Sequence, residues 1–498
     1  MGVNEAVPPP QNLAAGRLGG ASVVFFALAA ATPLTIVATV VPGAYAGGLL
    51  AVPLVFLGLG LLLLTFAAGY VAMSRRMPHA GALYCFVARG LGRPLGIGAA
   101  WLALLAYQAL QLGLYATAGI AAANWLGNGV EWWMLALGCW AAVATCGLLR
   151  VTAVAWVLAV LVLAETVVIV GYGAANVLNP ADGQITWATL APETLADVSR
   201  PVLGALLVTG VLAFIGFETA AAYVEEARRP RRSIARATYL SVVLLALLYA
   251  AASWAMSVAT GPELIAAEAG ARGPELMFDL AAERLAPWAV TLGRAMAMTG
   301  LLAALIALHQ TIARYLFALG RERVLPVGLR RTSSLTQTAL AGMAIGAGAL
   351  ANVDPVSAAR HLGVAGGLGI LLLLLGVSVA ALIFLNRHPN GEGAWSRFFA
   401  PGVSTVTLGT LAYLAFGNLA TLLGVPDRQV LIVPGAAAGA LLLGVVYGLV
   451  LRKARPVSYA GIGLGGTAVV VSPMSPPIPK PRVPGAHRPE RISPEPSH

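Results

Sequence analysis

Apolar residues in this chain do not alternate with polar ones; they run on in uninterrupted blocks separated by short polar connections. A window of about 19 residues finds about twelve blocks long enough to cross a bilayer as helices. They lie over 22–46, 49–73, 95–123, 132–149, 152–175, 201–224, 238–258, 288–317, 335–352, 364–385, 403–423 and 429–451. The pattern predicts an all-α integral membrane protein. Between the seventh and eighth blocks, TGPELIAAEAGARGPELMFDLAAERLAP at 260–287 has helical spacing but too many charges to span, and predicts one or two short helices over one face of the bundle. The polar, proline-rich start predicts a short segment over 1–18 and a first span retained in the mature protein. The transmembrane domain then covers 19–455, and residues 456–498, rich in proline and polar residues, predict a disordered tail.

Composition agrees with the pattern. Of 498 residues, 59% are hydrophobic and only 10% charged, against about 25% charged in soluble proteins. The net charge of +11, from 31 Lys+Arg and 20 Asp+Glu, therefore concerns topology rather than nucleic acid. Arginines gather after even-numbered blocks: Arg75, Arg76, Arg89 and Arg93; Arg150; Arg228, Arg229, Arg231, Arg232 and Arg236; Arg321, Arg323, Arg330 and Arg331; Arg387 and Arg397. The opposite connections hold Asp182, Glu193, Asp197, Glu263, Glu268, Glu275, Asp279 and Glu283. Positive residues stay on the cytoplasmic side, so both termini are expected there, in a cell membrane. Cys85, Cys139 and Cys146 have neither paired nor metal-ligand spacing and read as small packing residues. No metal or cofactor is expected.

Two blocks carry residues that a purely structural helix would avoid. In VVFFALAAATPLTIVATVVPGAYAGG, Pro33 removes a backbone donor and frees the turn before it. In VLAFIGFETAAAYVEE, Gly216 and Glu218 stand two residues apart; a mid-helix glycine costs about 1 kcal/mol and a charge at the bilayer centre about 2.5–3.5 kcal/mol. The interrupted blocks are the first and the sixth. Secondary transporters built from inverted repeats have discontinuous helices at matching positions, with the substrate site between them. Such breaks are tolerated only where they line a cavity or are buried in protein.

These residues carry a family resemblance. Phe214 to Glu218, followed by Glu225, Glu226 and RRPRRSIARA, resemble the sixth-span signature of the amino acid/polyamine/organocation superfamily. RRMPHAGALYCFVARGLG at 75–92 and ARYLFALGRERVLP at 313–326 are similar to that superfamily's loops after spans two and eight. The resemblance implies a leucine-transporter-like fold: inverted repeats of five spans, here about 19–176 and 200–386, plus two trailing helices at about 402–452. It implies secondary active transport of amino acids or related amines, with Ala31, Thr32, Pro33, Phe214, Ile215, Gly216 and Phe217 holding the substrate. One departure stands out: members usually break span one with G-x-G-x-G, and this chain has AAATPLT. Amine substrates therefore stay open. Physically, half-helix N-termini suit a carboxylate and half-helix C-termini an ammonium group, so a zwitterion fits between them.

Further candidates lie elsewhere in the bundle. Glu165, deep in span five, either takes up and releases a coupling proton or is a structural carboxyl hydrogen-bonded across the bundle. The resemblance makes Glu218 a gate or a stabiliser of the helix break; the alternative is a structural cap on the second half-helix. Tyr107, Gln111 and Tyr115 recur every fourth residue on one face of span three, as cavity lining or as interhelical polar contacts. His309 reads as a packing histidine. Glu225 and Glu226 beside Arg228 and Arg229 could form an inner gate, and the arginine clusters contact anionic lipid. Of other classes, an enzyme lacks HExxH, GxSxG or a phosphate loop, and a channel lacks a filter motif. A non-transporting amino acid sensor and a polyamine exchanger share the fold and remain open.

Overall fold

The computed structural model describes residues 13, 15–126, 129–181, 183–195, 199–425 and 430–465. Asp182, Asp197, the first twelve residues and most of the proline-rich tail lie outside the described residues.

All of the apolar blocks form helices, because a backbone in lipid must satisfy its polar groups within its own segment. The first is split into α1 (Gly20–Ala30) and α2 (Pro33–Ala46). α3 (Val52–Arg76) leads to a short α4 (Ala82–Gly90), and α5 (Arg93–Leu126), α6 (Trp132–Leu148) and α7 (Val151–Leu178) complete the first half. The second half begins with α8 (Arg200–Leu212), which gives way to a 3-10 turn over Phe217–Tyr223. α9 (Pro230–Thr260) follows, then the short α10 (Ile265–Arg272) and α11 (Leu276–Arg284). These last two are the short helices expected between the seventh and eighth spans. The long α12 (Pro287–Arg321), α13 (Leu329–Leu350) and α14 (Pro355–Arg387) end that half. α15 (Ala400–Gly417), α16 (Leu419–Leu423), α17 (Ile432–Ala454) and α18 (Pro456–Gly461) trail it.

Proline punctuates the starts. It occupies the first or second position of α2, α3, α9, α12 and α14, where its missing N–H costs nothing and its fixed φ suits the helix. Among the described residues, ten segments are long and apolar enough to cross a membrane. The two remaining blocks fall short for visible reasons: α6 has 17 residues, and α13 opens with the polar LRRTSSLTQT. Bare glycines let helices touch. A Cβ on Gly60 of α3 would stand 2.5 Å from Ala246 of α9, and one on Gly366 of α14 would stand 2.6 Å from the Ala106 carbonyl of α5. Large apolar side chains such as Trp156 (73%) and Leu443 (71%) face outward, as they do where lipid is the solvent.

At one end of the bundle Arg272, Arg284 and Arg294 pair with glutamates around α10 and α11. The other end carries most of the arginines, including Arg75, Arg76, Arg228, Arg229 and Arg321, and both ends of the described chain. There Leu18 pairs with the turn after span six, its N–H donating to the Glu226 carbonyl at 2.9 Å and its carbonyl accepting from Arg228 at 2.8 Å. The expected tail does not begin at 456. Residues 456–461 form α18, and the backbone N–H groups of Gly463 and Gly465 donate to Glu322 at 2.8 and 3.2 Å. That buried carboxylate also meets His79 at 2.9 Å and accepts from Tyr84 at 3.0 Å. Sequence pattern missed this because the anchoring groups are backbone amides.

Candidate functional site

The break in span one is two residues long. α1 tightens at its end, with Ala31 and Thr32 donating to Leu28 and Ala29 rather than to the residues four back. Thr32 then takes φ 48°, ψ 59°, a left-handed conformation that costs a β-branched residue on the order of 1–3 kcal/mol. Pro33 restarts the helix as α2. The first backbone donor after it, Leu34 N–H, is met by Glu165 Oε2 of α7 at 3.4 Å. Glu165 is buried, its other oxygen has no hydrogen-bond partner, and its carboxyl lies against Gly300 of α12.

Span six breaks by a different route. α8 ends at Leu212, and the next residues bond three back, Phe214 to Val211 and Ile215 to Leu212. Gly216 has φ 127°, ψ −34°, which only glycine adopts without strain. Its freed N–H donates to Glu218 Oε2 at 2.8 Å, and its carbonyl accepts from the Thr219 hydroxyl at 2.6 Å. Glu218 Oε1 accepts from Tyr107 of α5 at 3.1 Å, while Tyr70 of α3 donates to the Glu218 backbone carbonyl.

The two breaks meet face to face. A Cβ on Gly216 would stand 2.6 Å from the Ala31 nitrogen and 2.7 Å from the Ala30 carbonyl carbon. Tyr249 of α9 sits over both: its hydroxyl lies 3.1 Å from the Ala213 carbonyl and 3.4 Å from the Ala31 carbonyl. Each break thus has a freed N–H held by a carboxylate and a freed carbonyl held by one shared phenol. Ala31, Thr32, Pro33, Phe214, Ile215, Gly216 and Phe217 are all brought together and buried. Their facing surfaces touch at Gly216 rather than standing apart around open space.

Tyr107 joins this group through Glu218, but Gln111 does not. Its amide donates to the Leu305 carbonyl of α12 at 3.2 Å and accepts from Gln337 of α13 at 2.6 Å. One turn further along α5 carries it about 6 Å past the break. Tyr115 is buried with its hydroxyl unpartnered. His309 bonds Ser334 at 3.0 Å between α12 and α13, a packing role. Tyr249 and Tyr70 escaped sequence reading, because a tyrosine in a long apolar run has no spacing partner to mark it.

At the arginine-rich end Glu225 and Glu226 form ion pairs, but not with the neighbouring Arg228 and Arg229. The turn after span six sends those two outward, and the glutamates reach α12 instead. Glu226 pairs with Arg314 at 2.7 Å, whose guanidinium stacks 4.1 Å from the Tyr223 ring. Glu225 pairs with Arg321 at 2.7 Å and accepts from Ala80 N–H at 2.9 Å. Burial alone would raise the Glu225 carboxyl, but the hydrogen bond and charge of Arg321 outweigh it and hold the group below its ordinary value.

Comparison with solved structures agrees with this architecture. A manganese transporter from Eremococcus coleocola, solved with an aromatic bis-isothiourea substituted compound, superposes with a TM-score of 0.56 at 15% identity, over 89% of this chain and 95% of that one. A Na+-coupled sialic acid symporter in a substrate-bound outward-open state gives 0.51 at 14% identity, over 80% and 90%. Identities this low establish the fold, which is leucine-transporter-like. No curated protein matches the chain as a sequence relative. The sequence pattern of the amino acid permeases, however, matches residues 18–446, most of the chain and both breaks. The protein is thus a multi-pass transporter rather than an enzyme, and it belongs to the amino acid permease family.

Proposed function

We propose that this permease is a proton-coupled secondary transporter of an amino acid or related amine in the cell membrane, with both termini cytoplasmic, working by alternating access around its two breaks. The observation that carries the reading is the reciprocal capping just described. Glu165 and Glu218 hold the freed N–H groups of Leu34 and Gly216, and Tyr249 holds the freed carbonyls of Ala31 and Ala213. The protein's own groups occupy the positions that a substrate carboxylate and ammonium would take. A substrate replaces them bond for bond, and unpaired backbone is not left in a dry interior. Glu165 Oε1 has no partner and is the open position for the coupling proton.

A second reading keeps the site and changes the cargo to an organic amine. It is favoured by AAATPLT in place of a glycine-rich break and by two carboxyls against the breaks. Uptake of labelled amino acids and polyamines into proteoliposomes, with and without an inward proton gradient, separates the two. Accumulation of one class that collapses with the gradient is expected. Saturable binding without any transport would instead mark a sensor.

A further inference from the structure

At the arginine-rich end, a cavity of about 580 Å3 opens between two helix ends and belongs to neither break. Its walls are Ser74, Arg75, Arg76 and Pro78 from the end of α3, and Arg229 to Arg232 from the start of α9. Five arginines thus face one hollow. Arg76 is already neutralised, because its guanidinium forms a bidentate pair with Glu392 and donates to the His388 carbonyl. Arg75, Arg229, Arg231 and Arg232 form no ion pair or side-chain hydrogen bond among the described residues. The carboxylates nearest in sequence, Glu225 and Glu226, are committed to Arg321 and Arg314.

We propose that this cavity is a binding site for a phosphate-bearing anion, distinct from the transported substrate. Four guanidiniums without an acidic partner among the described residues stand around a concavity, repel one another and concentrate positive potential in it, and guanidinium forks match phosphate oxygens in two-point geometry. The helix contributes as well: α9 is 31 residues long and begins at Pro230, so the positive end of its dipole points at the same hollow. The site is preformed. α3 and α9 run antiparallel in contact, Gly60 against Ala246, so the two arginine-bearing ends are held at a fixed separation. The volume falls within the range of about 300–1,000 Å3 typical of small-molecule sites. Both helix ends lie at the limit of their apolar runs, the depth of lipid headgroups. The same chemistry therefore admits an anionic phospholipid headgroup or a soluble phosphate.

The test uses the full-length protein, purified, stripped of lipid and examined by native mass spectrometry. It is titrated separately with phosphatidylglycerol, with zwitterionic phosphatidylcholine and with inorganic phosphate. The variant Arg229→Gln/Arg231→Gln/Arg232→Gln removes three guanidiniums, and Arg75→Gln alone is a milder second variant. Arg452→Gln/Lys453→Gln, in the last turn of α17, is the control for general positive charge. The expected result is one saturable phosphatidylglycerol site, weakened roughly fivefold for each arginine removed and by about 100-fold in the triple variant. Phosphatidylcholine shows no such site, and the control is unchanged. Saturable binding of phosphate instead, lost in the same variants, would support the site with a soluble ligand. Unchanged anion binding in both arginine variants, or an equal loss in the control, would overturn the proposal.

Discussion

Gly216→Ala tests whether contact between the two breaks is part of the working cycle. The added Cβ would stand 2.6 Å from Ala31 N and 2.7 Å from Ala30 C, both backbone atoms. Comfortable contact needs about 3.5 Å, so the breaks must part by close to 1 Å. Overpacking of this kind costs about 1–3 kcal/mol. The conformation at φ 127° costs a non-glycine residue another 1–3 kcal/mol. The closed arrangement is thus penalised by about 2–6 kcal/mol, and even the lower figure is roughly thirtyfold in population. A larger residue such as leucine at 216 can only add to this. Initial uptake rates in proteoliposomes, normalised to protein recovered as a monodisperse peak, should fall by at least that factor. Gly171→Ala in α7 is the control, because nothing lies within 4 Å of a Cβ there. Wild-type uptake and melting temperature in Gly216→Ala would refute the reasoning.

Three further outcomes follow from the same geometry. Glu165→Gln keeps the shape of the carboxyl but removes its titration, so uptake should lose its dependence on the proton gradient while substrate binding stays measurable; wild-type gradient dependence would sink the proton role. Tyr249→Phe strips the hydroxyl from the Ala31 and Ala213 carbonyls but keeps the ring packed against Phe56 and Phe214. Unpartnered carbonyls cost about 1–3 kcal/mol, so the empty variant should melt lower than wild type and recover more on adding substrate; equal substrate-induced shifts would argue against an ammonium at those carbonyls. The Glu225–Arg321 pair adds a pH term. A carboxyl depressed in the folded state stabilises the fold above its unfolded value of about 4.3. That contribution is lost as pH falls through the lower folded value, so wild type should lose stability in acid faster than Glu225→Gln, and parallel acid melting profiles would contradict the assignment.

Much of this protein was legible in one dimension, because lipid imposes one-dimensional rules. A run of apolar residues must become a helix, arginines must stay on one side, and Pro33 and Gly216 must interrupt whatever helix holds them. Those constraints act on a segment without reference to its neighbours, so the all-α membrane class and the location of both breaks could be read directly, while the candidate substrate residues at each came only with the family resemblance. The start of α12 at Pro287 falls beside the expected 288, but α9 and α14 begin at Pro230 and Pro355, ahead of the expected 238 and 364, because a polar first turn hides a helix start from an apolar window.

Partnership between segments is what only the tertiary structure decided. Glu225 and Glu226 choose Arg321 and Arg314, 96 and 88 residues away, over the adjacent arginines. Gln111 shares a face with Tyr107 yet joins a different network, because α12 and α13 pack against that turn of α5. Tyr249 earns no notice in sequence and spans both breaks in space. Glu322 holds residues 463 and 465 through backbone amides that every residue type but proline possesses. The reason is common to all four. A hydrogen bond or ion pair depends on where two helices cross, and crossing is set by glycine contacts such as Gly60 with Ala246 and Gly216 with Ala31, which no single segment encodes.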